Sequence, residues 1–255
     1  MNRLIRGTSL PLKALWSPRA ALDAVAVGDV APYRAAAPLA LLLFAAALGA
    51  LALPRLLDLL DAALRPTGQV VLDAHFGVLR AGLSRLLVFE RLVLPVPYLL
   101  GGTVLWLVAA PALAGRGVRG STVAALLAVG AAPLLVQRAG ELAVVLAVPG
   151  GGLVAGDVAG LPARFNVGVA GALAAAGVAA PGWLGVAAQA ANAVGLWVVA
   201  LWGWGLARLD RDAGRPAGAA HTMGWCAAAT AAYAAGWALH AALYPTLLLL
   251  VMGAP

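Results

Sequence analysis

The stretch Ala36-Ala-Pro-Leu-Ala-Leu-Leu-Leu-Phe-Ala-Ala-Ala-Leu-Gly-Ala-Leu-Ala-Leu53 sets the class of this molecule. It carries no charge and lies between Arg34 and Pro54-Arg55. A helix needs about 20 apolar residues to cross the hydrocarbon core of a bilayer. The segment is therefore read as a transmembrane helix over about 36–53. Four more apolar runs follow. One covers about 92–114, between Arg91 and Arg116, and the next about 121–148, from Ser121-Thr122 to Pro149-Gly-Gly-Gly. The others cover about 186–207, ending before Arg208, and about 222–252, nearly free of charge. The expected fold is an all-α membrane protein with five transmembrane helices. Trp183 and Trp204 bracket the fourth run, 21 residues apart. That is about 31 Å of helix, one bilayer core with an aromatic belt on each side.

Composition agrees. Of 255 residues, 63% are hydrophobic and 11% charged, with a mean hydropathy of +0.95. Soluble domains carry roughly 25% charged residues. In a soluble protein the net charge of +7 would point to nucleic acid. Here the charges lie between apolar runs, where they set topology and meet anionic headgroups. No basic, aromatic-interleaved surface remains, so no nucleic-acid partner is expected. The first fifteen residues hold no long apolar core followed by a small-residue cleavage site, so no cleavable signal peptide is expected.

Residues 1–35 read as an amphipathic N-terminal segment and 36–255 as a single polytopic membrane domain. Within the first, Trp16-Ser-Pro-Arg opens a helix, with Ser17 suited to its cap and Pro18 to its first position. The region about 10–26 is too charged to insert and is read as an interfacial helix. Trp16 sits at headgroup depth and Arg19 points toward anionic lipid. A second amphipathic region covers about 54–91. Arg55, Asp58, Asp61 and Arg65 oppose Leu56, Leu57, Leu60 and Leu64. After Pro66-Thr-Gly a new amphipathic pattern begins. Both halves are read as interfacial helices. Residues 150–185 are rich in Gly, Ala and Pro, and Phe165 to Ala180, short and weakly hydrophobic, reads as interfacial or re-entrant, with a further span as the alternative.

With the N-terminus inside, the inner segments hold ten cations (Arg3, Arg6, Lys13, Arg19, Arg34, Arg116, Arg119, Arg208, Arg211, Arg215) and the outer segments six (Arg55, Arg65, Arg80, Arg85, Arg91, Arg164). The positive-inside rule then favours a cytoplasmic N-terminus and an outside C-terminus, in a bacterial cytoplasmic membrane.

Enzyme signatures are missing. There is no Gly-x-Ser-x-Gly, no His-Glu-x-x-His, no phosphate-binding loop and no dinucleotide fingerprint. His75, His221 and His240 are far apart and Cys226 is alone, so no metal site, no cofactor and no catalytic residue is expected. The polar residues inside apolar runs are the candidates. Arg138 and Glu141 are three apart on the third run and can pair on one helix face, and intramembrane charges are often functional. Gln189 and Asn192 are three apart on the fourth, beside the small residues Ala187, Ala191 and Gly195, a pattern suited to close helix packing. Tyr233, Trp237, His240 and Tyr244 form one stripe on the fifth.

Three features together resemble the Yip (Ypt-interacting protein) domain family in its bacterial form. They are Trp16-Ser-Pro-Arg with Pro32 and Pro38 leading into the first span; five spans with a long connection after the first; and Asn192 through Trp197 to Gly205-Leu206, followed by an Arg/Asp-rich turn. The resemblance implies a multi-pass protein with a cytosolic N-terminus and no known enzymatic chemistry. Eukaryotic members are linked to Rab-type GTPases. This chain lacks their Asp-Leu-Tyr-Gly-Pro-like segment and their long N-terminal region, so GTPase binding is not carried over. The expected function is that of a non-enzymatic protein that organises membrane shape or recruits a membrane-protein partner, or a second copy of itself. The alternative is a small transporter or permease subunit with Arg138, Glu141, Gln189 and Asn192 along one polar path.

Overall fold

The computed structural model describes residues 2–26, 36–64, 70–92, 96–149, 158, 168–176, 182–214 and 218–253. All regular structure among them is helical. The glycine run at 150–152 and most of the 150–185 region, including much of 165–180, lie outside the described residues. The helices are α1 (Asn2–Trp16), α2 (Pro18–Ala26), α3 (Ala36–Ala63), α4 (Val70–Leu92), α5 (Val96–Ala114), α6 (Gly120–Gly130), α7 (Pro133–Ala147), α8 (Val169–Ala175), α9 (Gly182–Ala190), α10 (Ala193–Asp212) and α11 (Ala219–Gly253).

Among the described residues four helical segments are long and apolar enough to cross a membrane: Ala36–Ala63, Val96–Ala114, Gly120–Ala147 and Ala219–Thr246. They mark the chain as an integral membrane protein. The third is central, with 72% of its most apolar stretch buried inside the protein, against 22% for the fourth. It is built from α6 and α7 in sequence. The chain turns at Ala131-Ala132, and Pro133 starts α7, where its missing N–H costs nothing.

The expected fourth span over 186–207 is divided. Helix α9 ends at Ala190, and α10 restarts after Asn192. Asn192 has an extended backbone (φ −126°, ψ 156°), and its side chain accepts a hydrogen bond from Gly195 N at 2.7 Å. This is an N-cap, which satisfies a donor that a helix start otherwise leaves open. Helix α10 then runs on through Arg208, Asp210, Arg211 and Asp212, so its apolar part is shorter than the sequence pattern suggested.

The 54–91 region also differs from its sequence reading. Residues 54–63 continue α3, with Pro54 inside the helix. Their apolar side packs within the protein. Leu56, Leu59 and Leu60 form a second small core with Ala52, Leu87 of α4, Val145 of α7 and Val158. Asp61 on this extension accepts a bidentate pair from Arg80 of α4, at 2.6 and 2.8 Å. Arg55 donates to the Val148 carbonyl at 3.0 Å. The polar stripe that suggested a water-facing helix therefore joins α3 to α4 and to the end of α7.

The N-terminal region is two helices, the first beginning at Asn2 rather than near residue 10. Leu10, Ala14, Ala21, Leu22 and Val25 are all buried and belong to the main core, with residues of α3, α5, α6, α7, α10 and α11. Helix α1 packs on α3 and α6, and α2 packs on α6 and α10.

Candidate functional site

Helix α7 buries the Arg138–Glu141 pair. Their residues are 5% and 7% exposed, and Arg138 Nη1 lies 2.8 Å from Glu141 Oε2. Gln137 Nε2 donates to the other carboxylate oxygen at 3.0 Å. Tyr98 of α5 donates to Gln137 Oε1 at 3.4 Å. Each charge is thus bonded within one cluster, the only arrangement that makes a buried ion tolerable. The expected pairing is present.

Gln189 and Asn192 are brought together, but through the backbone. Asn192 Nδ2 donates to the Gln189 carbonyl at 2.7 Å, while the Gln189 side chain is on an exposed residue. Asn192 thus caps the helix restart, and its side chain also lies within hydrogen-bonding reach of the Tyr98 and Tyr233 hydroxyls on α5 and α11. At the break the Ala190 carbonyl accepts from both Asn192 N and the Tyr233 hydroxyl, each at 2.9 Å.

The α11 stripe is a packing face. Tyr233 and Trp237 lie 5.5 and 6.3 Å from the ring of Tyr98 on α5. His240 continues the ladder, 6.2 Å from Trp237 and 5.3 Å from Tyr244. Beside it α5 and α11 touch backbone to backbone. A Cβ on Gly236 would run into the Pro97 carbonyl and come within 2.8 Å of Gly101 Cα. Only glycine permits this approach.

At the opposite end of the bundle the structure builds a charged cluster that the sequence reading passed over. Asp210, in the last turn of α10, is completely buried. Its carboxylate pairs with Arg116 and with His221 Nε2 at 2.5 Å, and it accepts from Trp225 Nε1 at 3.0 Å. Two helix ends aim these groups. Gly117 (φ +80°) closes α5 with bonds from Gly117 N to the Ala114 carbonyl and from Val118 N to the Leu113 carbonyl, a Schellman-type end that turns Arg116 toward α10. Gly214 (φ +96°) ends α10 in the same left-handed conformation. Close by, Arg208 reaches Asp23 of α2 at 2.6 Å and thereby ties the N-terminal helices to α10. A sequence signal for Asp210 existed. Val198, Trp202, Leu206 and Asp210 recur every four residues, and all four are buried. Asp210 therefore lies on the inward face of α10 although it sits in an Arg/Asp-rich stretch.

A cavity of about 240 Å³ lies between α3, α5 and the α6–α7 segment, with Trp202 at its inner wall. Pro38, Leu42, Leu99, Gly102, Trp106 and Ala128 are among its lining residues. None of Arg138, Glu141, Gln189, Asn192 or His240 lines it. Among the described residues no group of His, Cys, Asp or Glu is placed to hold a metal. Trp16 is 72% exposed and Arg19 is exposed beside it, together at the elbow between α1 and α2. No protein-family model, curated protein or solved structure matches the chain.

Proposed function

We propose that this is a non-enzymatic, five-span protein of the Yip-domain type, with α10 as the fourth span in chain order and the N-terminus on the cytoplasmic side of a bacterial membrane. It organises the membrane or recruits partners at the end of the bundle that carries α1 and α2. One observation carries this reading. The α1–α2 pair is fixed to the bundle by its buried face and by Asp23–Arg208, and it presents Trp16 and Arg19 outward. A tryptophan beside an arginine at a membrane surface suits the headgroup layer. Leu10 and Ala14 of α1 and Ala21, Leu22 and Val25 of α2 are occupied inside the protein, so membrane contact at the elbow rests on this corner. Two observations weigh against the transporter reading: Arg138 and Glu141 bond each other, and none of the candidate polar residues lines the apolar cavity.

The test is reconstitution into vesicles rich in phosphatidylglycerol, followed by electron microscopy. The protein should narrow or tubulate the vesicles, and the Trp16→Ala/Arg19→Gln variant should do so less. Vesicles indistinguishable from protein-free ones, together with no crosslink to another protein from residue 16 in native membranes, would overturn the reading.

A further inference from the structure

We infer that the gap between α3 and α5 is a binding site for one acyl chain of an anionic phospholipid, whose phosphate rests beside Arg119. This rests on the membrane location and is independent of the proposed function. The gap exists because its two walls are held elsewhere. Helix α3 packs on α7 and α4, while α5 packs chiefly on α11, so the two flank α6 without closing over it. The floor between them is small: Gly102, Ala124, Ala128 and Ala131. Along α5 the groove runs from Tyr98 to Trp106, about 12 Å at helical rise.

The chemistry of the wall selects hydrocarbon. Every hydrogen-bonding side chain in the lining is already turned onto the protein. Thr103 donates to the Leu99 carbonyl at 2.8 Å, Trp202 to the Leu127 carbonyl at 2.8 Å, Trp106 to the Gly120 carbonyl at 3.0 Å and Tyr98 to Gln137. A polar occupant would find no free donor there. The helix faces beside the mouth are apolar and exposed: Leu39, Leu42 and Leu43 on α3, and Leu99, Trp106 and Leu107 on α5. Two membrane-length helices with such faces open onto lipid, not water.

Charge settles which lipid. The Trp106 ring lies over Gly120, 3.5 Å from where a Cβ would stand, and so marks one end of the groove. The next residue is Arg119, the exposed N-cap of α6. An arginine at a helix start, where the dipole favours an anion, suits a phosphate in this position.

The experiment uses the full chain in detergent, incubated with equal phosphatidylglycerol and phosphatidylcholine and examined by native mass spectrometry. One phosphatidylglycerol per monomer is expected. Thr103→Phe fills the groove and should reduce lipid retention to background, with circular dichroism and melting confirming the fold. Arg119→Gln alters only an exposed side chain. It should lower the preference for phosphatidylglycerol about fivefold, the effect of one cation near an anionic headgroup. Undiminished retention by a folded Thr103→Phe variant would overturn the inference. So would equal binding of the two lipids by the unmodified protein, no lipid at all, or a lipid-free dimer whose second copy fills the groove.

Discussion

Replacing Arg116 should cost more than replacing Asp210, and the difference follows from burial. Asp210 is fully enclosed, whereas the Arg116 side chain keeps 32% of its surface exposed. In Arg116→Gln the carboxylate stays buried, still bonded by His221 and Trp225. It also stands at the C-terminal end of α10, where the helix dipole disfavours an anion. Removing one partner of a buried pair costs about 3–5 kcal/mol, and the two remaining donors place this case near the lower figure. In Asp210→Asn the shape and an acceptor for Trp225 survive, and Arg116 regains water. The loss should be about 1 kcal/mol, that of one net hydrogen bond. For a chain of this size 1 kcal/mol moves the melting temperature by about 2–4 °C. Arg116→Gln should therefore melt about 6–12 °C lower and Asp210→Asn about 2–4 °C lower. The double variant should be no less stable than Arg116→Gln alone, which a double-mutant cycle reads as coupling. Thermal unfolding in one detergent measures all three. Equal losses, or a larger loss for Asp210→Asn, would refute the argument that the buried carboxylate is the group needing compensation.

The Arg138–Glu141 pair obeys the same rule in a different test. Arg138→Leu should destabilise by about 3 kcal/mol or more, while Arg138→Leu/Glu141→Leu should recover most of that, because no buried charge is left unpaired. Asn192→Ala removes the α10 cap and should cost about 1 kcal/mol by thermal unfolding in the same detergent. Gly236→Ala places a methyl group against the Pro97 carbonyl and must push α5 from α11. It should lower the melting temperature more than Gly224→Ala, whose Cβ meets nothing within 4 Å. Reporter fusions at the two termini should lie on opposite sides of the membrane; termini on the same side would overturn the five-span count.

The helical membrane class was legible at once, because 18 uncharged residues at Ala36–Leu53 admit no other reading. The Arg138–Glu141 pair was legible too, since three-residue spacing on a helix fixes neighbours regardless of tertiary structure. What was hidden depended on partners far apart in sequence. The stripe of Arg55, Asp58 and Asp61 opposite leucines looks the same whether its apolar side meets lipid or another helix. Only the placement of Leu87 and Val145 against Leu56 and Leu60 decides it. Gln189 and Asn192 suggested amide bonds between helices; the spacing could not show that Asn192 also stands at a helix break and caps α10, in keeping with the local backbone bonding of short amides. Asp210 was masked by its charged neighbours, and the four-residue recurrence from Val198 would have exposed it.

The buried Asp210 cluster, the glycine contact and the bonds that hold α3 to α4 and α7 together explain why the groove is a built feature. Helix α5 is fixed at one end, where the turn after it sends Arg116 to Asp210, and near the other, where Gly101 meets Gly236. Both contacts draw α5 toward α10 and α11. Helix α3 is drawn the other way, through Leu56 and Leu60 onto α4 and α7, through Arg55 onto Val148 and through Asp61 onto Arg80. Closing the gap would require giving up a buried carboxylate's main cation or a backbone contact that only glycine allows. Either loss exceeds what burying the modest apolar wall of the groove would return, since lipid already covers that wall and leaves little hydrophobic gain. The gap therefore persists for the same reason that the bundle is stable.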